Sequence, residues 1–197
     1  MRIGLFGGTF NPIHNEHILM ANEAIKELNL DKLLVMPTYV SPHKIGKEVA
    51  PGEDRIKMAK LAFQNNPKVE VSDYEISKKG ISYTYQTLEY LTEEYRGAEI
   101  FFLLGSDMLE NFPKWKNPDL ICNMATLALT ERRGEGLDNE LLIKIVEERF
   151  NTKVVKLKVY GNDISSTKIR LYTKLGLSVE EMCPSEVIGY IKEIWNL

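Results

Sequence analysis

Gly7-Gly8-Thr9-Phe10-Asn11-Pro12-Ile13-His14-Asn15-Glu16-His17 joins a short apolar run to a helical pattern. The run before it, Arg2-Ile3-Gly4-Leu5-Phe6, suits a buried first strand. From His17 onward, Ile18, Ala21, Ile25 and Leu28 recur at helical spacing. Lys32-Leu33-Leu34-Val35-Met36 then reads as a second strand, stopped by Pro37. Together these make a βαβ unit, for which a right-handed crossover is expected. Gly7 and Gly8 let the backbone come close to a phosphate, and the helix that follows offers N–H groups and a positive dipole end to an anion. His14 and His17 are three residues apart at that helix start and can face one ligand, donating hydrogen bonds to the oxygens of a reacting phosphate. No GxxxxGK[ST] loop is present, and Gly4, Gly7 and Gly8 do not have GxGxxG spacing, which weakens a dehydrogenase reading. The plainer alternative is a tight strand-to-helix turn with two surface histidines.

Working outward, the alternation continues. Arg55 to Phe63 reads as a helix, Val69-Glu70-Val71 as a short strand, and Tyr85, Leu88, Leu91 and Tyr95 as a helical stripe. Glu99 to Leu104 is the most strand-like run and ends at Gly105. Thr126 to Leu129 reads as a strand, Leu141 to Phe150 as a helix, Val154 to Leu157 as a last strand, and Val187, Ile191, Ile194 and Trp195 as an amphipathic helix. This order predicts an α/β chain: one Rossmann-like, doubly wound domain over residues 1–197, with a mostly parallel sheet of about five strands. Ligands of such sheets bind beyond the carboxyl ends of the strands, where strand order reverses.

Three further segments fall at those ends. Pro37-Thr38-Tyr39-Val40-Ser41-Pro42-His43-Lys44 is a loop shaped by its prolines that ends in two donors. Gly105-Ser106-Asp107 follows the central strand, and its carboxylate can bind ribose hydroxyls; Trp115, close behind, can stack on an aromatic ring. Ile164-Ser165-Ser166-Thr167-Lys168-Ile169-Arg170 places Ser165 as an N-cap, puts hydroxyls and amides at a helix start, and sets Arg170 one turn on. Each alone is equally a capped helix or a surface loop; together they offer a polyanion two sites on one rim. The basic run Glu131-Arg132-Arg133-Gly134 fits a solvated loop as well as a phosphate contact.

Composition narrows the classes. The chain has 197 residues, of which 44% are apolar and 27% charged, and a net charge of −3. This is globular composition, with no global attraction for nucleic acid or anionic membranes, so any anion site needs locally concentrated positive charge. No apolar window approaches a membrane span, and the start breaks into glycines too early for a signal peptide, so a cytoplasmic protein is expected. Cys122 and Cys183 have no metal-ligand or CxxC spacing and read as packed thiols in a reducing compartment. Self-association into a homo-oligomer stays open.

The first segment resembles the GGTFDPxHxGH signature of the nucleotidyltransferase superfamily, related to the HIGH motif of class I aminoacyl-tRNA synthetases, and the last resembles its ISSTxIR motif. MPTYVSPHK, the stretch Ser82-Tyr83-Thr84-Tyr85-Gln86-Thr87-Leu88, and LLGSDMLENFPKW resemble the bacterial nicotinate mononucleotide adenylyltransferases in particular. The match runs from Met1 to about Arg170. The resemblance implies that His14 and His17 bind the ATP phosphates, with His17 on the α-phosphate, and that Gly7, Gly8 and Thr9 line them. It implies that Ser166, Thr167 and Arg170 hold the β and γ phosphates, with Arg170 counted among the catalytic groups. Gly105 and Asp107 would meet adenosine, Thr84 and Trp115 the nicotinate ring, and His43 and Lys44 the mononucleotide phosphate. Two positions depart from the pattern: Asn11 stands where Asp is usual, and Glu16 where Gly is usual, so Glu16 is expected to point away from the phosphates.

The reaction so implied is attack of a mononucleotide phosphate oxygen on the α-phosphorus of ATP, with loss of pyrophosphate. An ionised phosphate needs no general base, so catalysis would rest on positioning and charge stabilisation. Mg²⁺ would ride on the ATP phosphates and water, since no protein carboxylate cage is legible. The competing readings are the same chemistry on nicotinamide mononucleotide or phosphopantetheine, and a regulator that binds nucleotide without turnover.

Overall fold

Strand β1 (Arg2–Gly8) takes the centre of the sheet because its side chains serve two apolar layers at once: Ile3 and Leu5 enter one, Phe6 the other. It pairs in parallel with β2 (Lys32–Pro37) on one side and β4 (Glu99–Gly105) on the other. Beyond them lie β3 (Val69–Val71) next to β2, then β5 (Thr126–Glu131) and β6 (Val154–Lys158) beyond β4. The order β3-β2-β1-β4-β5-β6 is parallel throughout and reverses between β1 and β4. The computed structural model describes residues 1–131, 136–159 and 164–195; Arg132, Arg133 and Gly134 of the basic run lie outside them.

All six apolar runs read as strands join the sheet, one more than the expected count and with every pair parallel. The shortest is β3, three residues long, which joins the edge of the sheet through its register on Leu33 to Val35. Helices cover both faces, as an all-parallel sheet requires. On one side α1 (Asn15–Glu27), α2 (Gly52–Phe63) and α9 (Ser185–Ile194) bury Ala21, Met58 and Val187 against Phe6, Leu33 and Phe101. On the other, α4 (Thr84–Glu94), α6 (Pro118–Met124) and α7 (Gly136–Phe150) bury Leu88, Ile121 and Val146 against Leu5, Phe102 and Leu127. Each fully buried Val, Leu, Ile, Phe or Met side chain among them contributes about 1.5–3 kcal/mol of transfer free energy.

Short helices α3 (Tyr74–Lys78) and α5 (Ser106–Leu109) follow β3 and β4, and α8 (Ser166–Lys174) precedes α9. The register Gly8↔Pro37 and Gly105↔Thr130 sets the ends of β1, β2, β4 and β5 along one rim. No helix among the described residues is long and apolar enough to cross a membrane. Cys122 and Cys183 are unpaired thiols; burial pushes the first up to about 11 and the second up to about 12, so both are inert packing groups.

Candidate active site

The glycine turn is built around one ring. Phe10 sits at φ 49 and is buried, its ring edge-on to Phe6 at 5.3 Å and to His17 at 5.0 Å. A Cβ on Gly8 would lie 2.8 Å from that ring, so glycine is required for the turn to fold Phe10 back over the end of β1. The next residues enter α1 with His14 at the N-cap in extended geometry. The His14 N–H donates to His17 Nδ1 at 3.2 Å, and the two imidazoles stack at 3.7 Å. With Nδ1 accepting, Nε2 is the nitrogen that carries the proton in a neutral His17 ring.

Beside this turn a cavity of about 550 Å³ opens at the switch between β1 and β4. Gly7, Gly8 and Thr9 line it from β1, His43 and Lys44 from the loop after β2, Thr84 from the start of α4, and Gly105, Asp107 and Trp115 from the segment after β4. The Trp115 ring is set between Phe102 and Phe112, with His43 facing it at 5.4 Å across the mouth. At Gly105 a Cβ would stand 2.7 Å from Asp107 Oδ1, so the glycine is what lets that exposed carboxylate fold back over the strand end.

The closing segment meets the glycine turn directly. Ser165 caps α8, its hydroxyl accepting from the Lys168 N–H at 3.2 Å. Ser166 Oγ donates to the Pro12 carbonyl at 2.9 Å, and Arg170 donates to the Asn11 carbonyl at 2.7 Å and to Thr167 Oγ1 at 3.2 Å. His14, His17, Ser166, Thr167 and Arg170 therefore stand together next to the cavity rather than in its wall. Asn11 is buried and its side chain accepts from the Ala50 N–H at 3.3 Å, so here this residue ties the turn to the loop before α2. Glu16, the other departure, is not part of the cavity lining.

Arg55 and Glu75 went unread in the sequence. Arg55 is 1% exposed; its Nε donates to the Ala50 carbonyl and its Nη1 to the carbonyls of Thr9, at 3.0 Å, and Thr38, at 2.7 Å. One guanidinium thus fastens the ends of β1 and β2. The signal was present: Arg55 shares the inner stripe of α2 with Met58, Ala59 and Phe63, where an apolar residue is usual. Glu75 reaches the cavity wall from α3, and nothing in its local pattern marks it.

Positive charge is concentrated here despite the chain's net −3. The Lys44 ammonium is held below its ordinary value, first by desolvation against the cavity wall although the residue as a whole is exposed, then by Arg170, Lys47 and Arg55; Asp107 opposes the shift. Burial likewise lowers Arg55. Cations crowded together on this rim favour an anionic guest.

Residues 5–171 match the cytidylyltransferase-like family. A Clostridium perfringens protein named as a probable nicotinate-nucleotide adenylyltransferase is 39% identical over 199 residues, covering 100% of this chain and 97% of its own. Its Clostridium novyi counterpart is 38% identical, covering 93% and 92%. Plasmodium falciparum nicotinic acid mononucleotide adenylyltransferase, solved in complex with NaAD, superposes with a TM-score of 0.80 over 100% of this chain and 96% of its own, at 21% identity, which speaks to the fold. The family match and relatives of 38–39% identity over nearly the whole chain make this a nucleotidyltransferase of the α/β class. The chain belongs to the cytidylyltransferase-like family and, within it, to the nicotinate-nucleotide adenylyltransferases.

Proposed function

We propose that this chain transfers AMP from ATP to nicotinate mononucleotide, giving nicotinate adenine dinucleotide and pyrophosphate, in the biosynthesis of NAD. One observation carries this beyond family membership. The glycine turn, the Pro37 to Lys44 loop, Thr84 and the Gly105 to Trp115 segment, far apart in sequence, line one cavity with aromatic and cationic groups. The mononucleotide phosphate attacks the α-phosphorus in line, already ionised and without a general base. His17, donating from Nε2, and His14 stabilise charge growing on the α-phosphate oxygens. Gly7, Gly8 and Thr9 flank those phosphates, while Ser166, Thr167 and Arg170 hold the leaving pyrophosphate. Gly105 and Asp107 meet the adenosine, and His43 and Lys44 the acceptor phosphate.

A divalent cation enters with ATP; Mg²⁺, carried by the phosphates and water, offsets the triphosphate charge. We place the protein in the cytoplasm, where both thiols stay reduced.

The test is pyrophosphate release with nicotinate and nicotinamide mononucleotides side by side. The two acceptors differ in a carboxylate against an amide, and the N-terminal end of α4 at Thr84 favours the anion. The nicotinate form is expected to be preferred by at least about tenfold in kcat/KM, about 1.4 kcal/mol. Thr84→Val erodes that preference, and Trp115→Ala weakens both acceptors while sparing ATP. Equal kcat/KM for the two in the parent enzyme would remove the nicotinate assignment and leave adenylyl transfer standing.

Arg170→Lys separates the two ends of the site. Lysine keeps the charge but cannot hold both Asn11 and Thr167 in one planar fork. The KM for ATP should rise several-fold, roughly 1 kcal/mol of lost binding, with a smaller change for the mononucleotide. A larger shift in the mononucleotide KM reverses the assignment of that residue.

A further inference from the structure

Glu75 is 6% exposed and lines the cavity beside Ser82, Tyr83 and Thr84. The Thr87 hydroxyl donates to its Oε1 at 2.6 Å, while its buried Oε2 has no hydrogen-bond partner among the described residues. The same cavity lining holds two more buried polar atoms without a partner there, Trp115 Nε1 and Thr38 Oγ1. Leaving a buried polar atom unpaired is costly, so a group of them in one cavity wall marks where a guest's polar groups complete the bonding.

We propose that Glu75 sets acceptor specificity at the pyridine end of the cavity, as a carboxylic acid whose Oε2–H donates to the anionic substituent of the ring. This rests on the reading that the acceptor is a pyridine mononucleotide. Burial pushes the Glu75 carboxyl above the usual carboxylate value, opposed by the bonded Thr87 hydroxyl, by the Ser82 hydroxyl, which lies near the carboxyl but outside bonding geometry, and by Lys78. Protonated, the group is a donor and suits a carboxylate. Ionised, it repels a carboxylate and accepts from an amide N–H, so the two acceptors respond in opposite directions. Around it, α3 contributes Lys78 and Tyr74, α4 contributes Tyr90 stacked on Tyr74, and the cavity loops contribute His43, Lys44, Asp107, Lys114 and Lys116. Taking the ratio of the two acceptors cancels titrations common to both, including those of the ATP phosphates.

The experiment measures kcat/KM for nicotinate and nicotinamide mononucleotides with saturating ATP, from about pH 6 to about pH 9.5, in the parent and in Glu75→Gln. The parent's nicotinate-to-nicotinamide ratio is expected to fall at least about tenfold as pH rises, the cost of a like charge facing the carboxylate. In Glu75→Gln, whose amide still accepts from Thr87 and does not titrate, the ratio stays flat. A flat ratio in the parent, or a parallel fall in the variant, overturns the role of Glu75. A parent that turns over neither mononucleotide overturns the proposed function, and this role falls with it.

Melting temperatures over the same series give a readout independent of turnover. The folded state holds the Glu75 proton more tightly than the unfolded chain, so this stabilising contribution is full below the unfolded value and is lost as pH rises through the folded one. Glu75→Gln should therefore gain on the parent in melting temperature as pH rises; a difference that does not change with pH overturns the protonated carboxyl.

Discussion

Replacing His17 with alanine is expected to lower turnover by about 10²-fold or more, the effect of removing one donor from a developing oxyanion. The His14 N–H donates to His17 Nδ1, which places the proton of a neutral ring on Nε2. The same contact closes the first turn of α1, so alanine also costs about 0.5–2 kcal/mol of stability, as loss of a cap does. His17→Gln separates the two effects: a glutamine carbonyl at this third helical position can accept from the N-cap N–H, recovering stability but not turnover. Single-turnover measurements with both variants decide it. Near-normal turnover in His17→Ala would remove His17 from the chemistry.

Arg55→Met is the other substitution expected to have a large effect. The methionine fills much of the same space but leaves the carbonyls of Thr9, Thr38 and Ala50 without their donor. Each buried, unpaired carbonyl costs about 1–3 kcal/mol. Removing a desolvated guanidinium returns part of that. A net loss of about 2–4 kcal/mol is expected, a large share of the ~10 kcal/mol that holds a domain of this kind together. Because Thr9 and Thr38 both line the cavity, kcat/KM for both substrates should fall as well. Arg55→Lys keeps the charge and can reach fewer of the three acceptors, so it should fall between. Urea denaturation gives the answer directly: a midpoint for Arg55→Met equal to the parent's would show that the strand ends are held by other contacts.

Much of this molecule was legible in its sequence because the signals are local and periodic. Buried parallel strands read as unbroken apolar runs, and β1, β2, β4, β5 and β6 were bounded to within a residue or two. The strand ends carry glycine and proline, so the segments on the rim could be located from punctuation alone. One helix cap was legible for the same reason: the role of Ser165 depends only on the residues that follow it. The short strand β3 was read as well, at Val69 to Val71, but its place at the edge of the sheet comes only from pairing with β2.

What tertiary structure decided is which of these rim segments share a wall. Spacing put His14 and His17 on one ligand face, but stacked rings and a backbone N–H fixing the tautomer come from the turn that Phe10 folds over Gly8. Arg170 was read as a phosphate fork; what the fold shows is its guanidinium fastening α8 to the Asn11 carbonyl, a contact across 159 positions of sequence. The segment Ser82 to Leu88 has no acidic residue, yet the fold delivers Glu75 to the same cavity wall from outside it. Propensity and capping act over a few residues and can be read along the chain. Burial, desolvation and the pairing of polar groups depend on neighbours that only packing brings together, and for Arg55 and Glu75 those neighbours define the role.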